Sequence, residues 1–373
     1  MDIHGKITGI RYTPLLTEPL RQVNFNDFDV NAVPTACIVK EGNYSAAVSR
    51  WVSPKRTRSY PFERVYNTLK HSKKITVIPV VKDEGGHGDR DYIQWDTVSL
   101  MSLLDVFVIF AYYDKAEINV RNPKKIKITN QQYNNEFVKA KIKEIEQYHS
   151  SALHWNLNEL KINFHSIVDL AAKAYRKIEK QTGVALHNSD GLVNFKTKIG
   201  QDVSNFMAFS RDKSKQAQAR EMVTVQPKES LQTLTKATIT IENYLGGQYF
   251  LTADEIDVAG NIVHLIESKH SKNAVLPSMG DVKDGILKMI LFSNLTDVTV
   301  DSKPMKSKAF LRLTSSKLDA DIASKSKEKD VLNFFAAQDF SDYPFSEKER
   351  DTVLDVFDEA NKNKFTVQIQ YAP

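Results

Sequence analysis

The chain has 373 residues, 41% hydrophobic and 26% charged, with 14 Gly, 12 Pro and one Cys. That composition excludes collagen, coiled coil and wholesale disorder, and supplies two or three domains at about 150 residues each. Lys+Arg exceed Asp+Glu by 51 − 46 = +5, a mild basic excess that permits an anionic partner. The lone Cys37 excludes an intrachain disulfide and a thiolate zinc site, and points to a reducing compartment. The longest apolar approach, Val98 to Tyr113, is broken by Ser102 and Asp105. The start Met1 to Lys6 lacks the apolar run of a signal peptide. The expectation is a soluble, cytoplasmic protein without a membrane partner.

In chain order, residues 1–128 alternate short apolar runs with turn residues. Ile75 to Val81 reads as a strand, with Pro79 suggesting an edge or a bulge. Lys82 to Asp91 is a Gly-rich acidic segment, read as a plain flexible loop. Thr97 to Tyr113 is apolar all round, a buried helix or a strand pair. From Thr129 to about 182 apolar residues recur at helical spacing (Phe137, Ile142, Ile145, then Leu160, Phe164, Val168, Ala171, Ile178), and Gly183 ends the pattern. These helices read as an arm. Residues 183–230 are polar and basic, including Arg211, Lys213 and Lys215. A stretch up to Tyr244 fits a helix broken by Gly246 and Gly247. In the last part, 313–373, Ser346 and Glu349 fit a capping box opening a helix to about Asn361. Phe365 to Tyr371 alternates as a strand.

The stretch with chemical content runs from Thr252 to His270. Ile262 to Ser268 reads as a buried strand, on which Glu267 and Lys269 share one face and Ser268 takes the other. A carboxylate and an ammonium at a strand's end are costly to bury without a joint task. Glu255 to Val258 is a second strand, joined through Gly260 and Asn261. A two-residue loop there puts Asp257 opposite His264, the wrong face for Glu267. A three-residue loop or a bulge brings Asp257 onto the Glu267 face, and that is the geometry expected. Asp254, on the other strand face, is the competitor for Asp257. Asp257, Glu267 and the Ser268 carbonyl then offer hard oxygens suited to Mg²⁺. Lys269 would orient a water or stabilise charge.

Asp257 followed by Glu267-Ser268-Lys269 resembles the PD-(D/E)xK nuclease signature, with Ile256 where the motif's name has proline. The helix expected at Asp281 to Ser293, N-capped by Asp281, and the strand Val298 to Val300 complete the order of that family's core over residues 230–312. The resemblance implies an α/β (α+β) fold: a restriction-endonuclease-like core with a mixed central sheet flanked by helices, within 183–312. It implies a Mg²⁺-dependent type II restriction endonuclease acting on double-stranded DNA. Asp257, Glu267 and Lys269 would be catalytic, with a separate cognate methyltransferase and room for a homodimer. A repair, junction or mobile-element nuclease is the alternative. A non-catalytic DNA-binding protein on a decayed core is the alternative of another class. Glu242 and Glu229 are candidates for an additional upstream acid.

Outside the core, Lys55, Arg56, Arg58 and Arg64 interleave with Tyr60 and Phe62, and Lys70, Lys73 and Lys74 extend the series. With Arg211, Lys213 and Lys215 they are the expected DNA contacts, to phosphate more than to base edges. Their bland reading is a solvated basic loop. His264 and His270 lack metal-ligand spacing. No Gly-x-x-x-x-Gly-Lys-Ser/Thr occurs, so no NTP is expected. Neither a zinc-finger spacing nor a Gly-x-Ser-x-Gly elbow is present.

Overall fold

The computed structural model describes residues 2–55, 61–119, 126–188, 190–199, 206, 237–243 and 248–373. The protein is mixed α/β and divides into two compact units: Glu18–Ser210, and Met1–Thr17 together with Arg211–Pro373. These boundaries replace the expected 1–128, 129–182, 183–312 and 313–373. The reason is pairing across the chain. Strand β1 (Asp2–Ile7) lies parallel to the late strand Ala237–Asn243, with Ile3 opposite Ile239. The first residues therefore belong with the end of the sequence.

In the 18–210 unit, five strands make one sheet: β2 (Arg21–Asn24), β3 (Ala36–Glu41), β4 (Tyr44–Arg50), β5 (Lys74–Pro79) and β8 (Phe107–Ala111), in the order β2-β3-β4-β5-β8. Strands β4, β5 and β8 run parallel. β5 and β8 are apolar almost throughout and buried, as strands covered on both faces must be. β5 is thus interior, not an edge, and Pro79 sits at its last position, where a missing N–H costs least. Short helix α1 (Pro61–Tyr66) links β4 to β5. Lys82 to Asp91 is no plain loop: β6 (Val81–Asp83) and β7 (Arg90–Tyr92) pair there antiparallel. The apolar stretch after it holds both alternatives in turn, helix α2 (Trp95–Leu103) and then β8.

Antiparallel β9 (Tyr113–Asn119) and β10 (Lys127–Tyr133) follow, then helices α3 (Asn135–Glu146), α4 (Ala152–Asn158) and α5 (Phe164–Thr182). They form no arm. α3 and α4 pack on β8 and α5 on β9. The α4 side chains satisfy the unpaired edge of β8: Val108 N–H donates to Asn156 Oδ1 at 2.7 Å, and Trp155 Nε1–H donates to the Val108 carbonyl at 2.9 Å. Gly183, at φ 66°, closes α5 in the left-handed conformation that glycine tolerates. Helix α6 (Asp190–Ile199) ends the described part of this unit apart from Phe206.

The described residues of the other unit form two sheets. One is ordered β12-β11-β1-β15-β16, from β11 (Ala237–Asn243), β12 (Gln248–Ala253), β15 (Thr296–Val300) and β16 (Lys303–Pro304). The stretch before Tyr244 is thus a strand, not a helix; its β-branched run Thr238-Ile-Thr-Ile241 suits a pleated surface. The second sheet is ordered β13-β14-β17-β19-β18, from β13 (Glu255–Ala259), β14 (Ile262–Ser271), β17 (Lys306–Ser315), β18 (Ile322–Ala323) and β19 (Thr366–Tyr371). β14, β17 and β19 run parallel. Helix α7 (Met279–Phe292) lies against β14 and β17, and α8 (Glu328–Asp339) and α9 (Glu347–Asn363) against the far side of the order. α7 starts earlier than expected, because Ser278 rather than Asp281 is its N-cap. At α9 both arms of the Ser346–Glu349 capping box are made.

Candidate functional site

The site is built where β13 begins and β14 ends. Ala259 pairs with Ile262, so the connection is a two-residue loop with Gly260 at φ 60°. No bulge interrupts the ladder, and Asp257 stands opposite His264. The expected odd loop is therefore absent, and Asp257 faces away from Glu267. It is exposed, and its carboxylate lies 3.1 Å from His264 Nδ1. The competitor takes its place. Asp254 directly precedes β13; its N–H donates to the Ile266 carbonyl at 3.1 Å, and its Oδ2 accepts the Ser268 N–H at 2.8 Å. The ladder has ended at this point, which leaves Ser268 N–H for the side chain. In a strand, a residue's carbonyl lies on the same edge as its N–H, so Ser268 offers its oxygen towards Asp254.

Glu267 is 1% exposed. One of its oxygens lies 2.9 Å from Lys269 Nζ and the other accepts from Lys288 Nζ at 2.7 Å. Lys288 comes from α7. That helix can approach because Gly285 faces the sheet: a Cβ there would stand 2.6 Å from Leu311 Cδ1 and 3.5 Å from Lys269 Cε. Burial alone would raise the Glu267 carboxyl, but Lys288 and Lys269 outweigh it and hold it below the ordinary value. For Lys269 burial works against the charge, yet Glu267, with Asp254 and Asp284 behind it, keeps the ammonium above its ordinary value. It is held in its charged form at neutral pH. Asp254 has the opposite fate: burial and the Glu267 charge push its carboxyl up to about 6, against the pull of Lys288, the Ser268 N–H and Lys269.

Two carboxylates that repel one another lie beside two ammonium groups, so the cluster presents oxygens of the kind a hard cation prefers and cations of the kind a phosphoryl oxygen prefers. The donor set fits Mg²⁺: Asp254, Glu267 and the Ser268 carbonyl are all oxygen ligands. The fit is by donor chemistry. Among the described residues no group of three His, Cys, Asp or Glu is clustered for a metal. Sequence reasoning placed Glu267, Ser268 and Lys269 together, ranked Asp254 second, and missed Lys288 and Asp284. These two are four apart on α7, so one helical face carries both. That spacing was the available signal. His270 bonds Thr314 at 3.0 Å on the face away from Glu267. Glu242 lies on β11 in the other sheet, and Glu229 is outside the described residues.

Of the expected DNA contacts, Arg56, Arg58, Arg211, Lys213 and Lys215 lie outside the described residues. Lys55 is 3.9 Å from Asp91, and Arg64 donates to the Arg50 carbonyl at 2.8 Å. Lys73 lies 4.1 Å over the Phe107 ring and Lys74 pairs with Asp105 at 3.6 Å, so both are structural ties within their unit. Asp83, in the acidic hairpin, is buried: it accepts the Gly85 N–H and lies 2.8 Å from His187 Nδ1. No family model, curated protein or solved structure matches the chain. Among the described residues, no helix is long and apolar enough to cross a membrane.

Proposed function

We propose that this protein is a Mg²⁺-dependent endonuclease of double-stranded DNA, of the type II restriction kind, with a restriction-endonuclease-like core made by β13, β14, β17, β19 and α7. The observation that carries the reading is the meeting of Asp254 with Glu267, Ser268 and Lys269 at the end of a central strand. Asp254 replaces Asp257 in the proposed set. Asp254 and Glu267, with the Ser268 carbonyl, would hold the metal, which supplies a polarised phosphate and an acidified water when bound. Lys269 keeps its charge and offsets the negative charge that builds on the phosphoryl oxygens. Lys288 holds Glu267 in place from the other side.

The test is incubation of plasmid and phage DNA with the protein and Mg²⁺. Discrete bands are expected, lost in Glu267→Gln and Asp254→Asn, and retained in Asp257→Asn. Retained cleavage by Glu267→Gln, or its loss in Asp257→Asn with intact folding, overturns the assignment. One observation favours a second reading. Both Glu267 oxygens are engaged by lysines, as in a non-catalytic DNA-binding core held by ion pairs. DNA binding without cleavage at any divalent metal selects that reading.

A further inference from the structure

The 18–210 unit carries a pair of arginines that no carboxylate among the described residues pairs with. Arg50 closes β4 and Arg64 lies on α1, and both are half-buried. Their hydrogen bonds go to backbone carbonyls: Arg50 to Asn31 at 3.1 Å and Val33 at 3.4 Å, Arg64 to Arg50 at 2.8 Å. Arg50 Nε is buried with no hydrogen-bond partner. Among the described residues neither guanidinium has a carboxylate in ion-pair contact. Among the described residues, Glu63 is the carboxylate whose charge bears on Arg64. The two positive charges repel: burial first, and then Arg50, lowers the Arg64 pKa.

Position supplies a second argument. Arg50 is the carboxyl end of β4, which runs parallel to β5 and β8, and Tyr113 follows the end of β8 by two residues. Open parallel sheets take ligands outside the carboxyl ends of their strands. The setting is packed. Tyr133 O–H donates to the Trp51 carbonyl at 2.6 Å, and Trp51 and Tyr113 are buried. Arg64 is tied to the Arg50 backbone, and half-buried like charges that bear on each other without a counter-ion cost stability unless an anion joins them. Guanidinium forks match the oxygens of a tetrahedral oxyanion better than an ammonium does.

We infer that Arg50 and Arg64 form a phosphate-binding site in the 18–210 unit. The phosphate belongs to a nucleic-acid backbone or is free, and two ligands tell these apart. Full-length protein in EDTA is titrated with inorganic pyrophosphate by calorimetry and with a labelled 12-bp duplex by anisotropy. Arg64→Gln is expected to weaken at least one ligand by about tenfold, as loss of a charge-assisted bond does. Arg64→Lys, which keeps the charge without the fork, is expected to weaken it less. Exposed Lys161→Gln is the control and should change neither. Loss on the duplex, with a salt slope smaller by about 1, assigns backbone phosphate; loss on pyrophosphate alone assigns a free ligand. Unchanged affinity for both ligands in Arg64→Gln overturns the site. If that variant does not fold, Arg50→Lys and Arg64→Lys decide by the same criterion. EDTA keeps any metal out, so the result is independent of cleavage.

Discussion

Asp254 shares its surroundings with the negative charge of Glu267, and this makes its protonation a property of the fold. Its carboxyl is raised by burial and by Glu267 to about 6, from 3.8. A raised acid binds its proton more tightly folded than unfolded, so between about pH 4 and 6 stability falls as pH rises. Asp254→Asn removes this dependence, and above pH 6 it is expected to be more stable than the wild type by at most about 3 kcal/mol. Chemical denaturation at pH 4, 5, 6 and 7 checks the sign; a wild-type-minus-variant difference independent of pH refutes it. If the proposed activity holds, cleavage climbs through pH 6 as Asp254 ionises. Glu267 and Lys269 were legible in the sequence because period-two alternation is a local property. Choosing Asp257 over Asp254 required the loop length, and Gly260-Asn261 closes the turn with no extra residue.

At the scale of elements, the approach of α7 to β14 and β17 decides whether Lys288 reaches Glu267. Gly285 sits at the closest point, where any Cβ meets Leu311. Gly285→Val forces the helix outward or Leu311 off its rotamer, and is expected to cost about 1–3 kcal/mol by overpacking. Thermal unfolding measures the cost. A displaced Lys288 would also release one Glu267 oxygen, so the variant should lose cleavage more than Leu287→Met, a volume-conserving change on the same helix. Elements whose signal is local were readable: the Ser346 cap, the end of α5 at Gly183, and the alternation of β19. The strand β11 was misread because a short apolar run before Gly246-Gly247 fits helix and strand equally. Its partners β1 and β12 settle it, and β1 lies at the other end of the sequence.

At the scale of the molecule, the grouping of residues 1–17 with 211–373 has no local signal, since it rests on pairing between distant segments. β1 is interior to its sheet, flanked by β11 and β15, and Ile3 and Ile7 are fully buried. The segment after β1 is fixed as well. Buried Glu359 on α9 accepts the Tyr12 hydroxyl at 2.7 Å and the Leu15 and Leu16 N–H groups at 2.9 Å each. Removing residues 1–17 therefore opens a sheet between two strands and leaves a buried carboxylate without its donors, a loss no side-chain truncation approaches. Among the described residues no strand of the 18–210 unit belongs to the β1 sheet, and that unit has its own core around β5 and β8. The expected outcome is selective. In the truncated chain, hydrogen exchange should show lost protection across β11, β15 and α9 while β5, β8 and α5 keep theirs. Glu359→Ala is the milder version and should lower the melting temperature of the same unit only. Equal loss of protection in both units would mean that they unfold as one, and protection of β11 and β15 surviving the truncation would mean that β1 is dispensable to its sheet.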